Sequence, residues 1–199
     1  MTLVKICGIC SAEDAEVAVE AGADLIGFHF CSSQRRVEPE LARAIVDGLN
    51  RRPTVVGVFI DQPEDEVRQI AEHVGLDLLQ LHGSEAVGFE AGRPVMKVLK
   101  VRGEDVPDAA SWPDPLMLDS WSPDQRGGTG RTWAWELARD LIKRRQVFVA
   151  GGLEPGNVGT VVSRFRPYGV DVSSGVESAV RKKDPEKVRA FIRAARAAS

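Results

Sequence analysis

The chain has 199 residues, of which 43% are hydrophobic and 28% are charged, and its formal net charge is -3. This length suits one well-buried domain covering residues 1–199 and is short for two. The charge balance gives no broad basic field that would favour nucleic acid, and no apolar run is long enough to span a bilayer. Three cysteines without disulfide-like spacing fit a reducing compartment, so we expect a cytoplasmic protein.

Short apolar runs recur along the chain and predict eight strands. The predicted strands are Leu3 to Gly8, Asp24 to Phe30, Thr54 to Ile60, Leu78 to His82, Val95 to Val101, Pro115 to Asp119, Gln146 to Ala150 and Gly169 to Ser173. The helical patterns between and after them are Ala12 to Ala21, Pro39 to Asn50, Pro63 to Val74, Ser84 to Glu90, a weak one near Asp105 to Ala110, Trp133 to Arg144, Pro155 to Phe165 and Pro185 to Ala197. Apolar strands alternating with helices are typical of a parallel sheet covered by helices, and eight such units predict an α/β fold, a single (βα)8 TIM barrel.

Polar residues occur where the predicted strands end, which is where such barrels carry their chemistry. They are Cys7 on strand one, Arg35 and Arg36 after strand two, Gln80 and His82 on strand four, Asp119 on strand six and Asp171 on strand eight. Side chains alternate along a strand, so Lys5 shares a face with Cys7, and Met117 shares one with Asp119. We expect these faces to point towards the barrel axis.

Two late strands end in small residues and predict a phosphate site. Gly151 and Gly152 follow strand seven, and Ser173, Ser174 and Gly175 follow strand eight. Backbone N–H groups exposed by glycine and serine, together with a helix N-terminus expected at Pro155, favour a dianion. The alternative is that these glycines only make tight turns.

The motifs together resemble one known family, phosphoribosylanthranilate isomerase of tryptophan biosynthesis. The segments that carry the resemblance, in order from Lys5 to Glu177, are "KICGI", "GFHF" with a downstream arginine, "VGVFID", "LQLHG", "LMLDS", "GGTG", "AGGLEPGNV" and "VDVSSGVE". The resemblance implies an Amadori rearrangement of a phosphorylated sugar-anthranilate substrate, with no metal and no organic cofactor. It leaves both a monomer and a homodimer open.

The resemblance also implies roles for individual residues. Asp119 matches the general acid that protonates the furanose oxygen, and Cys7 matches the general base that takes the C2 proton. Arg35 falls where the family's arginine would meet the anthranilate carboxylate; the loop "CSSQRR" is one residue shorter than the family pattern, so Arg36 is the alternative. The family's proline-glycine step after the last strand is replaced here by "SAVRKKD".

Cys7 has other readings, because cysteine is often a packing residue and because Cys7 and Cys10 form a C-x-x-C pair. No second pair completes a metal site, and Cys31 stands alone. A base needs the thiolate, so we predict a Cys7 pKa below the reference value and faster alkylation than at Cys10 or Cys31.

Three other functions remain open on the residues alone. The histidine-pathway isomerase performs the same rearrangement on an aminoimidazole substrate and has an aspartate where Cys7 stands. A metal-dependent phosphosugar epimerase would need several ligands at the mouth, of which only His82 is suitably placed. A barrel that binds a phosphorylated metabolite without turnover is the third.

The loop from Ser120 to Thr132, with its "RGGTGR", is predicted to be a lid.

Overall fold

The structure is a computed structural model, and it describes residues 1–101, 109–120 and 139–199. Eight parallel strands, β1 to β8, form a closed barrel in which each strand pairs with its neighbours in sequence and β8 pairs with β1. The strands are Leu3–Cys7, Leu25–His29, Thr54–Phe59, Leu78–Leu81, Val95–Val101, Leu116–Ser120, Val147–Ala150 and Gly169–Val172. This confirms the predicted barrel.

Helices cover the outside of the barrel. Those within the described residues are Ala12–Glu20, Pro39–Gly48, Glu64–Val74, Arg139–Arg144, Val158–Phe165 and Pro185–Ala197. Their ends follow local capping chemistry, since Ser11 accepts a hydrogen bond from the Asp14 N–H and Asp184 accepts from the Glu186 and Lys187 N–H groups. None of these helices is long and apolar enough to cross a membrane.

Two apolar layers hold the barrel together. The larger one lies between strands and helices and includes Ile6, Phe28 and Phe191, each 0% exposed. A smaller cluster lies inside the barrel, and its members are Leu25, Val56, Leu78, Met96, Val98, Met117, Phe148 and Ala150. The strands are buried on both faces, which explains why they read as nearly continuous apolar runs.

The helix predicted from Ser84 to Glu90 is wrong, because this segment is irregular. The Glu85 carboxylate accepts hydrogen bonds from the Gly83 N–H and the Lys97 ammonium, the latter at 2.6 Å, and Ser84 bonds to Asp61. Side chains thus take the backbone partners that a first helical turn would use. Gly88, at φ 93°, is outside helical geometry.

The helix predicted after β7 from Pro155 to Phe165 is present, but its first residues form a turn. Pro155 lies in a turn, and the helix begins at Val158. Asn157 explains the shift: its Oδ1 accepts from the Glu154 N–H at 2.9 Å, and its Nδ2 donates to the Gly152 carbonyl at 2.9 Å. These bonds stabilise a turn before the helix.

A short 3-10 helix, Ser174–Val176, and a hairpin of β9 (Glu177–Ala179) and β10 (Lys182–Lys183) follow β8. The sequence patterns did not predict them. The predicted lid lies outside the described residues except for Ser120, as do most of the weak helix near Asp105 to Ala110 and the first residues of the helix predicted from Trp133.

Candidate active site

The polar residues predicted at the strand ends meet at one mouth of the barrel. Lys5 and Cys7 lie over Gly27 of β2: a Cβ there would sit 2.9 Å from the Cys7 sulfur and 3.0 Å from Lys5 Nζ. Both side chains are therefore inside the barrel, as the alternation along β1 predicted. Cys7 on β1 and Asp119 on β6 face this mouth from two sides, with β7 and β8 between them in the ring.

Asp119 ends a buried strand, and its surroundings favour the protonated acid. Burial, and then the Asp171 carboxylate, raise its pKa from 3.8 to about 6, while Lys100 on the paired strand β5 opposes the shift. A carboxyl group with a pKa near the working pH is suited to donate a proton.

Gln80 on β4 and His82, the first residue after β4, line the same space. His82 Nε2 lies 3.6 Å from Asp119 Oδ2, and burial together with Lys100 lowers the His82 pKa to about 4, so the ring is neutral at pH 7. Gln80 is 3% exposed, and its side-chain carbonyl oxygen has no hydrogen-bond partner within the described residues. A buried, unpaired polar atom at the mouth is suited to meet a polar ligand.

Asp171 sits deeper in the barrel and pairs with Lys5. Lys5 Nζ donates to Asp171 Oδ1 at 2.7 Å, and the Lys5 side chain is fully buried. Burial disfavours the ammonium, but the Asp171 carboxylate offsets this and raises the Lys5 pKa, so the charge is kept. Asp171 is therefore held by an ion pair with Lys5, close to Cys7. The sequence predicted only that Lys5 shares a strand face with Cys7, and the structure adds its positive charge to the site.

Cys7 is 3% exposed, and burial raises the pKa of its thiol even though Lys5 opposes the shift. The predicted pKa below the reference value is therefore wrong for the free protein, because desolvation outweighs the ammonium groups of Lys5 and Lys183. Cys10 and Cys31 are also buried, and burial raises their pKa values too. The predicted order of alkylation loses its basis.

Arg35 points into the mouth, where its Nε and Nη2 donate to the two carboxylate oxygens of Glu177 at 2.7 and 2.6 Å. Lys183 Nζ lies 3.2 Å from Glu177 Oε1, so two cations surround one anion. Sequence analysis missed both partners as site residues, although Glu177 ends the "DVSSGVE" segment. The chain separation of 142 residues explains why only the fold reveals the contact.

Arg36 does not enter the mouth, because its side chain is 55% exposed and lies 3.5 Å from Glu38. The loop after β2 that carries Arg35 and Arg36 is held by a residue of the β9–β10 hairpin. Arg181 Nη1 donates to the carbonyls of Gln34 and Arg36, the residues on either side of Arg35, at 3.0 and 2.8 Å. The segment "SAVRKKD", which departs from the family pattern, therefore anchors the arginine loop.

The two predicted phosphate loops lie against each other. A Cβ on Gly175 would meet the Leu153 carbonyl oxygen, so the loop after β8 packs on the loop after β7. Gly151 and Gly152 have φ of 85° and 68°, and a Cβ on Gly152 would meet nothing within 4 Å. Ser173 Oγ is buried without a hydrogen-bond partner in the described residues, and Ser174 is exposed beside it.

The C-x-x-C pair has structural contacts. Cys10 Sγ donates to the carbonyls of Gly8 and Arg35 at 3.6 and 3.5 Å. Within residues 1–101, 109–120 and 139–199, no group of three or more His, Cys, Asp or Glu side chains is placed to hold a metal ion.

Comparison with known proteins identifies close relatives of this chain. The family model described as N-(5'phosphoribosyl)anthranilate (PRA) isomerase matches residues 4–194. N-(5'-phosphoribosyl)anthranilate isomerases of Pelobacter propionicus and Desulforudis audaxviator are each 46% identical to it; the alignments cover 98% of this chain and 96% of the first relative, and 100% of both chains for the second.

Solved structures agree with the sequence relatives. The enzyme of Thermus thermophilus has a TM-score of 0.87 at 39% identity, covering 100% of both chains. A relative at 33% identity, TM-score 0.84, covering 99% of this chain and 100% of its own, is in complex with reduced 1-(o-carboxyphenylamino)-1-deoxyribulose 5-phosphate. One from Thermotoga maritima, at 34% identity and TM-score 0.83 over 99% and 100% of the two chains, is described as mutually generated monomers of a dimeric enzyme.

Proposed function

This chain belongs to the N-(5'-phosphoribosyl)anthranilate isomerase family, and from that membership we propose the roles of the residues at the barrel mouth. Its activity is the isomerisation of N-(5-phospho-beta-D-ribosyl)anthranilate to 1-(2-carboxyphenylamino)-1-deoxy-D-ribulose 5-phosphate in tryptophan biosynthesis. The observation that carries the assignment is the placement of Asp119 and Cys7 on two sides of one mouth, with the loops after β7 and β8 between them.

Asp119 is the general acid in this proposal. Its proton goes to the furanose ring oxygen as the bond from that oxygen to C1 breaks, and the anthranilate nitrogen lone pair forms an iminium. The pKa of about 6 leaves a protonated fraction near neutral pH and makes the carboxyl a ready donor. His82, neutral beside it, adds a polar contact to the sugar without competing as a cation.

Cys7 is the general base. Its thiolate takes the proton from C2, which converts the iminium to an enolamine that tautomerises to the ketone. Asp119 must be protonated while Cys7 is ionised, yet Cys7 has the higher pKa of the two. The productive protonation state is therefore a minor one at any pH, and groups that stabilise the thiolate raise its population.

The loops after β7 and β8 hold the phosphate in this proposal. Gly151, Gly152, Ser174 and Gly175 contribute backbone N–H groups, and Ser173 contributes its unpaired hydroxyl. The substrate then extends from these loops across Cys7 and Asp119 towards Arg35.

An aspartate and an asparagine at Gly152 test the phosphate site as a matched pair. Both residues tolerate the left-handed conformation of this position, and the space beside it is open. We expect Gly152→Asp to raise KM at least about tenfold over Gly152→Asn, because both variants keep the backbone N–H and differ in the carboxylate charge that repels the dianion. Equal KM values for the two variants would contradict the phosphate site. Gly175 is unsuitable for this test, because any side chain meets Leu153.

Arg35 is the proposed partner of the anthranilate carboxylate. Its Nη1 is directed away from the Glu177 pair, which uses Nε and Nη2. We expect Arg35→Met to raise KM by about ten- to a hundredfold, the worth of one charged hydrogen bond, and Arg36→Met to stay within about twofold because Arg36 is exposed. Glu177 keeps Lys183 as a partner in the first variant, so the fold is retained. The reverse order of the two KM values would move the role to Arg36.

Turnover of phosphoribosylanthranilate, followed by the loss of anthranilate fluorescence, tests these assignments in every variant. The aminoimidazole substrate of the histidine pathway, offered to the same preparation, measures dual specificity.

We also propose a cytoplasmic location, which the three free cysteines support. Of the two oligomeric states left open, we propose the homodimer, which the description of a dimeric relative supports.

A further inference from the structure

We propose that His29 is a positioning residue for the general base: its Nε2–H donates a hydrogen bond to the Cys7 sulfur and stabilises the thiolate. The two atoms lie 3.4 Å apart. The consequence for turnover rests on the proposed role of Cys7 as the base, whereas the hydrogen bond itself is a property of the free protein.

Strand pairing places His29 beside Cys7. Cys7 on β1 is opposite Gly27 on β2, and His29 follows two residues later on the same face of β2. Gly27 leaves the space that the thiol occupies, since a Cβ there would be 2.9 Å from the sulfur. The imidazole therefore reaches the sulfur from the strand next to β1.

Ser33 selects the tautomer of His29. Ser33 Oγ accepts a hydrogen bond from the Arg35 N–H at 3.1 Å and lies 2.9 Å from His29 Nδ1. In this proposal the Ser33 hydroxyl donates to His29 Nδ1, so that Nδ1 accepts and Nε2 carries the hydrogen. That N–H points at Cys7.

The charges around the pair favour a neutral donor. Burial, followed by the nearby Lys5 ammonium, lowers the His29 pKa to about 4, so the ring is neutral at working pH and does not take the thiol proton. The charged or titratable groups that face Cys7 and His29 are Lys5 on β1, Cys31 and Arg35 after β2, His82 after β4, Asp171 on β8 and Lys183 on β10. Lys5 donates to Asp171 and also hydrogen-bonds to Cys7, so His29 adds a second, neutral donor to the thiolate.

Two substitutions separate the hydrogen bond from the packing of the ring. His29→Leu keeps apolar volume and removes the donor, whereas His29→Gln places an amide N–H near the position of Nε2 and does not titrate. Ser33→Ala leaves the imidazole in place and removes the group that selects its tautomer. All three are made with Cys10→Ser and Cys31→Ala, so that Cys7 is the one remaining thiol.

The measurement is the pKa of Cys7 without substrate, from its thiolate absorbance in the ultraviolet, with Cys7→Ser as the blank. We expect His29→Leu to raise it by about one to two pH units, the worth of a hydrogen bond to a charged group. We expect His29→Gln to restore most of the shift, and Ser33→Ala to raise the pKa by less than His29→Leu. An unchanged pKa in His29→Leu overturns the proposal; if that variant does not fold, an unchanged pKa in Ser33→Ala does so.

The pH profile of kcat/KM links the hydrogen bond to turnover. We expect the alkaline limb, which the thiol pKa sets, to move upward in His29→Leu by the same amount as the thiol pKa. If the thiol pKa moves while Cys7→Ser remains fully active, the role of Cys7 as base fails and the hydrogen bond stands. If Cys7→Ser is inactive and the thiol pKa does not move, the present inference fails and the role of Cys7 stands.

Discussion

Asp119→Asn is expected to lower kcat by about 10²–10⁴-fold, the usual contribution of a positioned general acid, because an amide cannot deliver a proton to the ring oxygen. The fold is retained, since the substitution keeps the shape of the side chain at the end of β6. In the parent enzyme, kcat/KM is expected to rise up to about pH 6, to stay level above it, and to fall only above the pKa of Cys7, because the productive form carries one proton over the two groups. Steady-state rates across pH measure both effects.

The same substitution is expected to stabilise the protein. Burial raises the Asp119 pKa from 3.8 to about 6, so the native state disfavours the ionised form. The loss of stability caused by ionising Asp119 is absent below about pH 4, grows between about pH 4 and 6, and is complete above about pH 6. A neutral amide avoids it, so we expect the free energy of unfolding at pH 8 to rise by about 1 kcal/mol, less than the unscreened shift implies.

Asp114→Asn is the matched control, because Asp114 precedes the other end of the same strand. It pairs with Arg145 at 2.7 Å in a partly exposed setting, so its loss should affect stability slightly and turnover not at all. Retention of more than about a tenth of the parent activity by Asp119→Asn would contradict its role as the acid, since that loss falls short of the expected range.

Cys7→Ser is expected to lose activity by a similar factor, about 10²–10⁴-fold. A hydroxyl is a far weaker acid than a thiol and does not ionise in a site where burial already raises the thiol pKa. Cys7→Asp should recover part of the rate, since a carboxylate can serve as the base. The assay is turnover of phosphoribosylanthranilate at saturating substrate.

Cys10→Ser and Cys31→Ser are the controls for this experiment, because both cysteines are buried near the mouth and neither has a role in the proton transfers. Cys10→Ser retains a donor for the carbonyls that Cys10 contacts. Full activity of Cys7→Ser would remove the thiolate from the mechanism and leave Cys7 as a packing residue.

Some secondary structure was decided by contacts that no local pattern contains. The segment from Ser84 to Glu90 has helical residues, but Glu85 binds Lys97 and Ser84 binds Asp61. The start of the helix after β7 depends on hydrogen bonds of Asn157 with both Glu154 and Gly152. Helix propensity is a weak preference, and a few side-chain hydrogen bonds are enough to override it.

The amino-acid sequence by itself determined the eight-stranded barrel, the end of the barrel at which the candidate site lies, and the placement of Cys7 and Asp119 at its mouth. Apolar periodicity and small residues at strand ends are local properties, so they can be read without coordinates. Only the tertiary structure decided the electrostatics of the site: the raised thiol pKa, the Arg35 pair with Glu177, and the contact of His29 with Cys7. These depend on burial and on distances between residues far apart in the chain, and both arise when the barrel closes.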